Sequence, residues 1–214
     1  MKKINLKILA ITSIICILPI IIGIYFYNSL PESIAIHWGI NNNPNGYFVK
    51  PAFVFGMPVI MFLLQIFCCI VSDLSDKNPE ANKRAVTVYK WIIPIMTVAL
   101  YIVTIMYALG NNLDIRKIVV IIVGILFVIC GNYLPKVRGD YYLNMMFLKV
   151  KNKEKDNERL VSKTIKICSY VLILNGIFCM VSALFSEMIS IIAVALVIIE
   201  ILIIYIYAFI ASKK

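Results

Sequence analysis

Apolar stretches recur six times along the chain, at residues 8–27, 51–71, 91–109, 118–134, 167–185 and 188–210, and a charge interrupts only the last of them. Each is 17 to 23 residues long. At about 1.5 Å of rise per residue that is enough helix to cross a hydrocarbon core of about 30 Å. The pattern predicts an all-α fold, an integral membrane six-helix bundle. Local signals sharpen it. Pro19 should bend the first span, which exceeds a signal-peptide core and has no A-x-A-like site after it, so it is read as retained. Asn78-Pro79-Glu80 reads as the start of a helix beginning before the third span, with Asn78 as cap, Pro79 in the first turn and Glu80 spaced i, i+4 from Arg84. Pro135 should end the fourth helix, and only Ser186 and Glu187 separate the last two spans, which must be antiparallel neighbours with Ser186 as a cap.

The loop from Leu30 to Lys50 departs from this helical pattern. Ile34, Ile36 and Trp38 alternate with Ala35 and His37, a period of two that reads as a strand, and Asn45-Gly46 is a turn signal. Trp38, Tyr47 and Phe48 are residue types suited to the membrane–water interface.

Charge orients the spans. Of the 21 Lys and Arg residues, 18 fall at the N-terminus, between spans two and three, between spans four and five, and at the C-terminus. Cytoplasmic segments carry the excess of Lys and Arg, so both termini are expected in the cytoplasm. The same asymmetry explains the net charge of +10 without direct nucleic-acid binding, for which no folded basic module is present in the sequence. A hydrophobic content of 62% and a mean hydropathy of +0.92 leave no room for an independent soluble domain. All six cysteines lie within the apolar stretches, where they read as small packing residues rather than disulfides or metal ligands. No HExxH, nucleophile elbow or phosphate-cradling glycine loop is present, so the expectation is a protein without cofactor that is not an enzyme.

Chemistry inside the bilayer is confined to few residues. Glu200 is the one acidic residue within a span, about 18 Å along its helix from Met188, and Asn175 lies about 15 Å from Phe185 on the preceding helix. The short connection brings these levels side by side, which predicts a hydrogen bond between Glu200 and Asn175. Gln65, Thr97 and Asn132 fall in a polar layer toward the cytoplasmic side. An intramembrane acid serves either helix association or proton and substrate handling, the second being a small transporter built on Glu200, Asn175 and Gln65. Cys168, Gly176, Cys179 and Ala183 share one face of span five and read as a close-packing seam. His37, the single histidine, is read as a loop hydrogen-bonding group rather than a metal ligand, which would need converging partners.

Two stretches carry a family resemblance. Leu30-Pro31, Ile36-His37-Trp38-Gly39, Pro44-Asn45-Gly46-Tyr47 and Lys50 resemble the extracytoplasmic loop of a short bacterial membrane domain of unknown function. Gly131, Asn132, Leu134, Pro135 and Lys136, within Gly131-Asn132-Tyr133-Leu134-Pro135-Lys136-Val137-Arg138, resemble the signature of the SdpI-like immunity-protein family. After Gly139 the chain departs from that family, with Asp140-Tyr141-Tyr142-Leu143-Asn144 where a Pro-Asn and Gly-Ile-Arg-Thr-Pro-Trp-like run is usual. The resemblance implies a two-span N-terminal domain over 1–75 with an outer loop at 28–50, and a four-span domain over 76–214 with a basic cytoplasmic loop at 135–166. It further implies a bacterial plasma-membrane protein that protects against a secreted peptide toxin and signals by holding a transcriptional repressor at the membrane. On that basis His37, Trp38, Asn45, Gly46 and Tyr47 are candidates to face a toxin outside. Lys136, Arg138, Lys149 and Lys151 are candidates to dock a repressor protein inside, and the lipid bilayer is the common partner.

Overall fold

The computed structural model describes residues 4–39, 41–76, 79–137, 155–185 and 187–213. Asn78, Arg138, Lys149, Lys151, Ser186 and the divergent segment 139–148 lie outside them, as does the side chain of Glu80.

Helix α1 (Leu6–Ile17) starts at Asn5, whose side chain accepts the Ile8 N–H at 3.2 Å. It gives way at Leu18 to α2 (Pro19–Tyr25), with Pro19 in the first turn, so the expected bend is a break between two helical segments. Strands β1 (Ser33–Trp38) and β2 (Pro44–Val49) pair antiparallel. A π-helical turn, Ala52–Gly56, then opens α3 (Met57–Ser75). The chain continues through α4 (Pro79–Ala108), α5 (Ile115–Tyr133), α6 (Lys155–Ser182) and α7 (Glu187–Lys213). Five helical stretches, Leu6–Tyr25, Ala52–Ser75, Ala81–Ala108, Ile115–Lys136 and Ser162–Ser182, are long and apolar enough to cross a membrane; in α7 the described apolar stretch is Met188–Glu200. The all-α membrane architecture read from the sequence is therefore present, with a small hairpin in the connection between the first two apolar stretches. Helix α6 begins at Lys155, so the last part of the basic stretch 135–166 is helical.

The chain divides into two compact units. One comprises residues 3–70 and 90–119. Its core is Leu30, Ile34, Phe53, Val54, Tyr101 and Ile105, with the Phe53 and Tyr101 rings stacked at 4.8 Å. Here the π-turn has a use. Its i→i+5 pattern disturbs the regular ladder, and the Tyr101 hydroxyl donates to the Val54 carbonyl at 3.2 Å. Gly23 permits this approach, since a Cβ there would meet the Tyr101 hydroxyl and come within 2.8 Å of Val54 Cγ1.

The other unit comprises residues 1–2, 71–89 and 120–214. Val120, Cys179, Ala183, Ala193 and Val197 form one cluster, and Ala85, Val86 and Val137 a second. Lipid tails are as apolar as leucine, so close van der Waals packing rather than hydrophobic transfer must hold such helices together. Gly124 of α5 and Gly176 of α6 supply it: a Cβ on either would lie 2.6 Å from the other's carbonyl oxygen. Cys168, Gly176, Cys179 and Ala183 are all buried, as a packing seam requires.

Candidate functional site

The hairpin is built from its base upward. Lys50 is buried, its Nζ 2.8 Å from Glu32 and 5.1 Å from the centre of the Tyr27 ring, while its backbone N–H donates to the Glu32 carbonyl at 2.9 Å. Ile34 and Ala35 are buried, which seats β1 on the protein. The register then shifts: Ala35 faces Tyr47 but His37 faces Gly46, leaving Ile36 as the extra residue of a bulge. That bulge interrupts the expected alternation and turns His37 outward.

His37 and Asn45 are both exposed, and His37 Nδ1 and Asn45 Oδ1 share a hydrogen bond. Gly46 is needed opposite His37 because a Cβ there would sit 2.9 Å from His37 Cβ. Asn45-Gly46 is thus not the turn that its composition suggests; it lies within β2, and the chain reverses over Gly39–Asn43. Asn42 takes the left-handed conformation, φ 58°, which asparagine tolerates. Trp38 packs edge-on against Tyr107 at 5.3 Å, and its indole N–H is buried with no acceptor among the described residues. Tyr47 is exposed, with its hydroxyl 3.4 Å from the Pro44 carbonyl.

The loop before α5 holds the turn. Asn42 donates to the Leu113 carbonyl at 3.2 Å and accepts the Arg116 N–H at 3.3 Å. Asp114 caps the same helix start by accepting the Lys117 N–H at 3.1 Å, and its carboxylate lies 3.4 Å from both Arg116 and Lys117. Burial pushes the Asp114 carboxyl up, but the Lys117 N–H and the two cations outweigh it and hold the group below its ordinary value of 3.8.

Within the helices, Asn175 donates to a Glu200 carboxylate oxygen, the pairing expected from depth alone. Asn175 is buried and Glu200 half-buried. Gln65 is nearly inaccessible at 1% exposure and takes partners that the sequence reading missed: its amide nitrogen donates to Thr12 Oγ1 at 2.8 Å and to the Lys90 carbonyl at 2.8 Å, with Cys69 Sγ at 3.1 Å. Thr97 bonds back to the Ile93 carbonyl at 2.8 Å, as helical threonines do, and Asn132 is exposed.

The Gly131 to Lys136 motif ends a helix and packs it. The Ser169 hydroxyl donates to the Gly131 carbonyl at 2.7 Å, and a Cβ at 131 would come within 2.8 Å of the Ser169 carbonyl oxygen. Helix α5 stops at Tyr133, and Leu134-Pro135-Lys136 makes a tight 3₁₀ turn whose Lys136 ammonium sits 4.2 Å from the centre of the Tyr133 ring. Lys136 is exposed. Among the described residues, no three His, Cys, Asp or Glu side chains converge as a metal site would require.

Comparison with known proteins gives two likenesses. Residues 14–62 match the model of a domain of unknown function, DUF1648. The chain is 27% identical over 171 residues to the immunity protein SdpI of Bacillus subtilis (strain 168), a match covering 78% of this chain and 81% of that protein. No solved structure matches the chain. With its membrane-crossing helices and the hairpin inside the matched domain, the chain is a multi-pass membrane protein similar to the immunity protein SdpI.

Proposed function

We propose that this is a bacterial plasma-membrane immunity protein that protects its cell by binding a secreted peptide toxin at the outer hairpin, and that it acts by binding rather than catalysis. The observation that carries this reading is the His37–Asn45 pair. It is exposed on a hairpin whose base is fixed by Lys50 and Glu32 and whose turn is fixed by Asn42. A donor–acceptor pair preorganised in this way binds a partner with little loss of side-chain freedom. Likeness to a protein named for immunity supports the same reading, and the Lys and Arg asymmetry supports cytoplasmic termini.

The cytoplasmic counterpart is the docking of a repressor protein on the basic stretch 135–166, for which Lys136 offers an exposed cation and Arg138, Lys149 and Lys151 are the further candidates. A second reading, a small transporter, draws on the Asn175–Glu200 pair, because an ionisable side chain within a span is costly to retain.

Binding of a fluorescent peptide toxin of the Sdp type to the protein in lipid vesicles tests the first reading. Saturable binding weakened about tenfold or more by His37→Ala or Asn45→Ala is the expected result, about 1.4 kcal/mol. Equal binding by both variants would remove the hairpin as the site.

A further inference from the structure

The two strands of the hairpin meet different surroundings. In β1, Ile34 and Ala35 are 0% and 6% exposed and belong to the protein interior, whereas Tyr47, Phe48 and Val49 of β2 are 53%, 37% and 64% exposed. Three consecutive open apolar side chains need a reason when the same hairpin's turn is Asn41-Asn42-Asn43. Chain connectivity supplies one. Strand β2 runs directly into Lys50 and the span Ala52–Ser75. The 24 residues of that span are about 36 Å of helix, a few ångströms more than a hydrocarbon core of about 30 Å, so its ends reach the headgroup layer. At about 3.4 Å per strand residue, the Cα of Tyr47 lies within about 10 Å of that of Lys50, and Val49 is its immediate neighbour at about 3.8 Å. On the adjoining helical segments Tyr25 and Phe55 are likewise exposed, at 81% and 41%. Tyrosine and phenylalanine favour this depth, and no side chain of β2 is charged.

We propose that β2 is a lipid-inserted strand, with Tyr47, Phe48 and Val49 in the headgroup–acyl boundary of the outer leaflet, held there by apolar and aromatic area and not by lipid charge. The polar end of the hairpin, with His37, Asn45 and the asparagine turn, stays in water. This inference does not depend on the immunity reading.

The test uses the full chain in phosphatidylcholine vesicles, with Tyr47→Cys, Val49→Cys and, as the water-facing reference, Asn43→Cys, reacted with a membrane-impermeant maleimide and corrected for the wild-type background. Slower labelling at 47 and 49, by about tenfold, is expected, with rates converging once sodium dodecyl sulfate unfolds the protein. Adding phosphatidylglycerol should leave the pattern unchanged. Equal labelling at all three positions overturns the proposal. So does protection that develops only with added peptide, which would make a peptide the occupant, or only with anionic lipid. If a cysteine variant fails to fold, Phe48→Trp read against wild type must be quenched by lipids brominated near the headgroup; an unquenched signal contradicts insertion.

Discussion

The Asn175 side-chain amide donates to the Glu200 carboxyl, joining α6 to α7 within the span region. Glu200→Gln keeps an acceptor for Asn175, so near-normal stability and undiminished toxin protection are expected. Glu200→Leu or Asn175→Leu should lower the resistance of the protein to denaturing detergent by about 0.6 to 2 kcal/mol, the range of interhelical hydrogen bonds in membranes. An uptake or proton-flux activity abolished by Glu200→Gln would instead favour the transporter reading.

Gly124 and Gly176 should tolerate no branched side chain. Gly176→Val places its Cβ against the Gly124 carbonyl and should destabilise by about 1 to 3 kcal/mol, as overpacking does. Gly56→Ala is the control, since a Cβ there meets nothing within 4 Å, and it should leave thermal stability unchanged.

Tyr101→Phe removes the hydroxyl that donates to Val54 and keeps the stack on Phe53. A loss of about 1 kcal/mol is expected, without loss of membrane insertion.

Asp114 makes the clamp between the hairpin turn and the start of α5 sensitive to acid. Its folded pKa lies below 3.8, so its stabilisation is complete above the ordinary value and is lost as the pH falls through the lower folded one. Hydrogen exchange at the Lys117 amide, corrected for its intrinsic rate, should therefore lose protection only on strong acidification. Asp114→Asn should remove that pH dependence.

What the sequence reveals follows from the range of each signal. The spans are legible because a membrane imposes a length and an apolar composition, and the Glu200–Asn175 bond follows from a short connection and a rise per residue. The hairpin is only partly legible. Its strand period is visible, but Asn45-Gly46 mimics a turn while the actual reversal uses Asn42, because Gly46 is required beside His37 and Asn42 is held by the distant Leu113 and Arg116. Gln65 shows the same limit. Its depth is readable, but its partners Thr12 and Lys90 depend on how separate helices pack, which no local pattern encodes.

The most direct measurement is survival of a sensitive bacterium challenged with an Sdp-type peptide toxin while expressing the wild type, His37→Ala or Asn45→Ala at equal membrane abundance. Protection by the wild type and its loss in both variants is the predicted result. A correctly inserted wild type that gives no protection would contradict the immunity account.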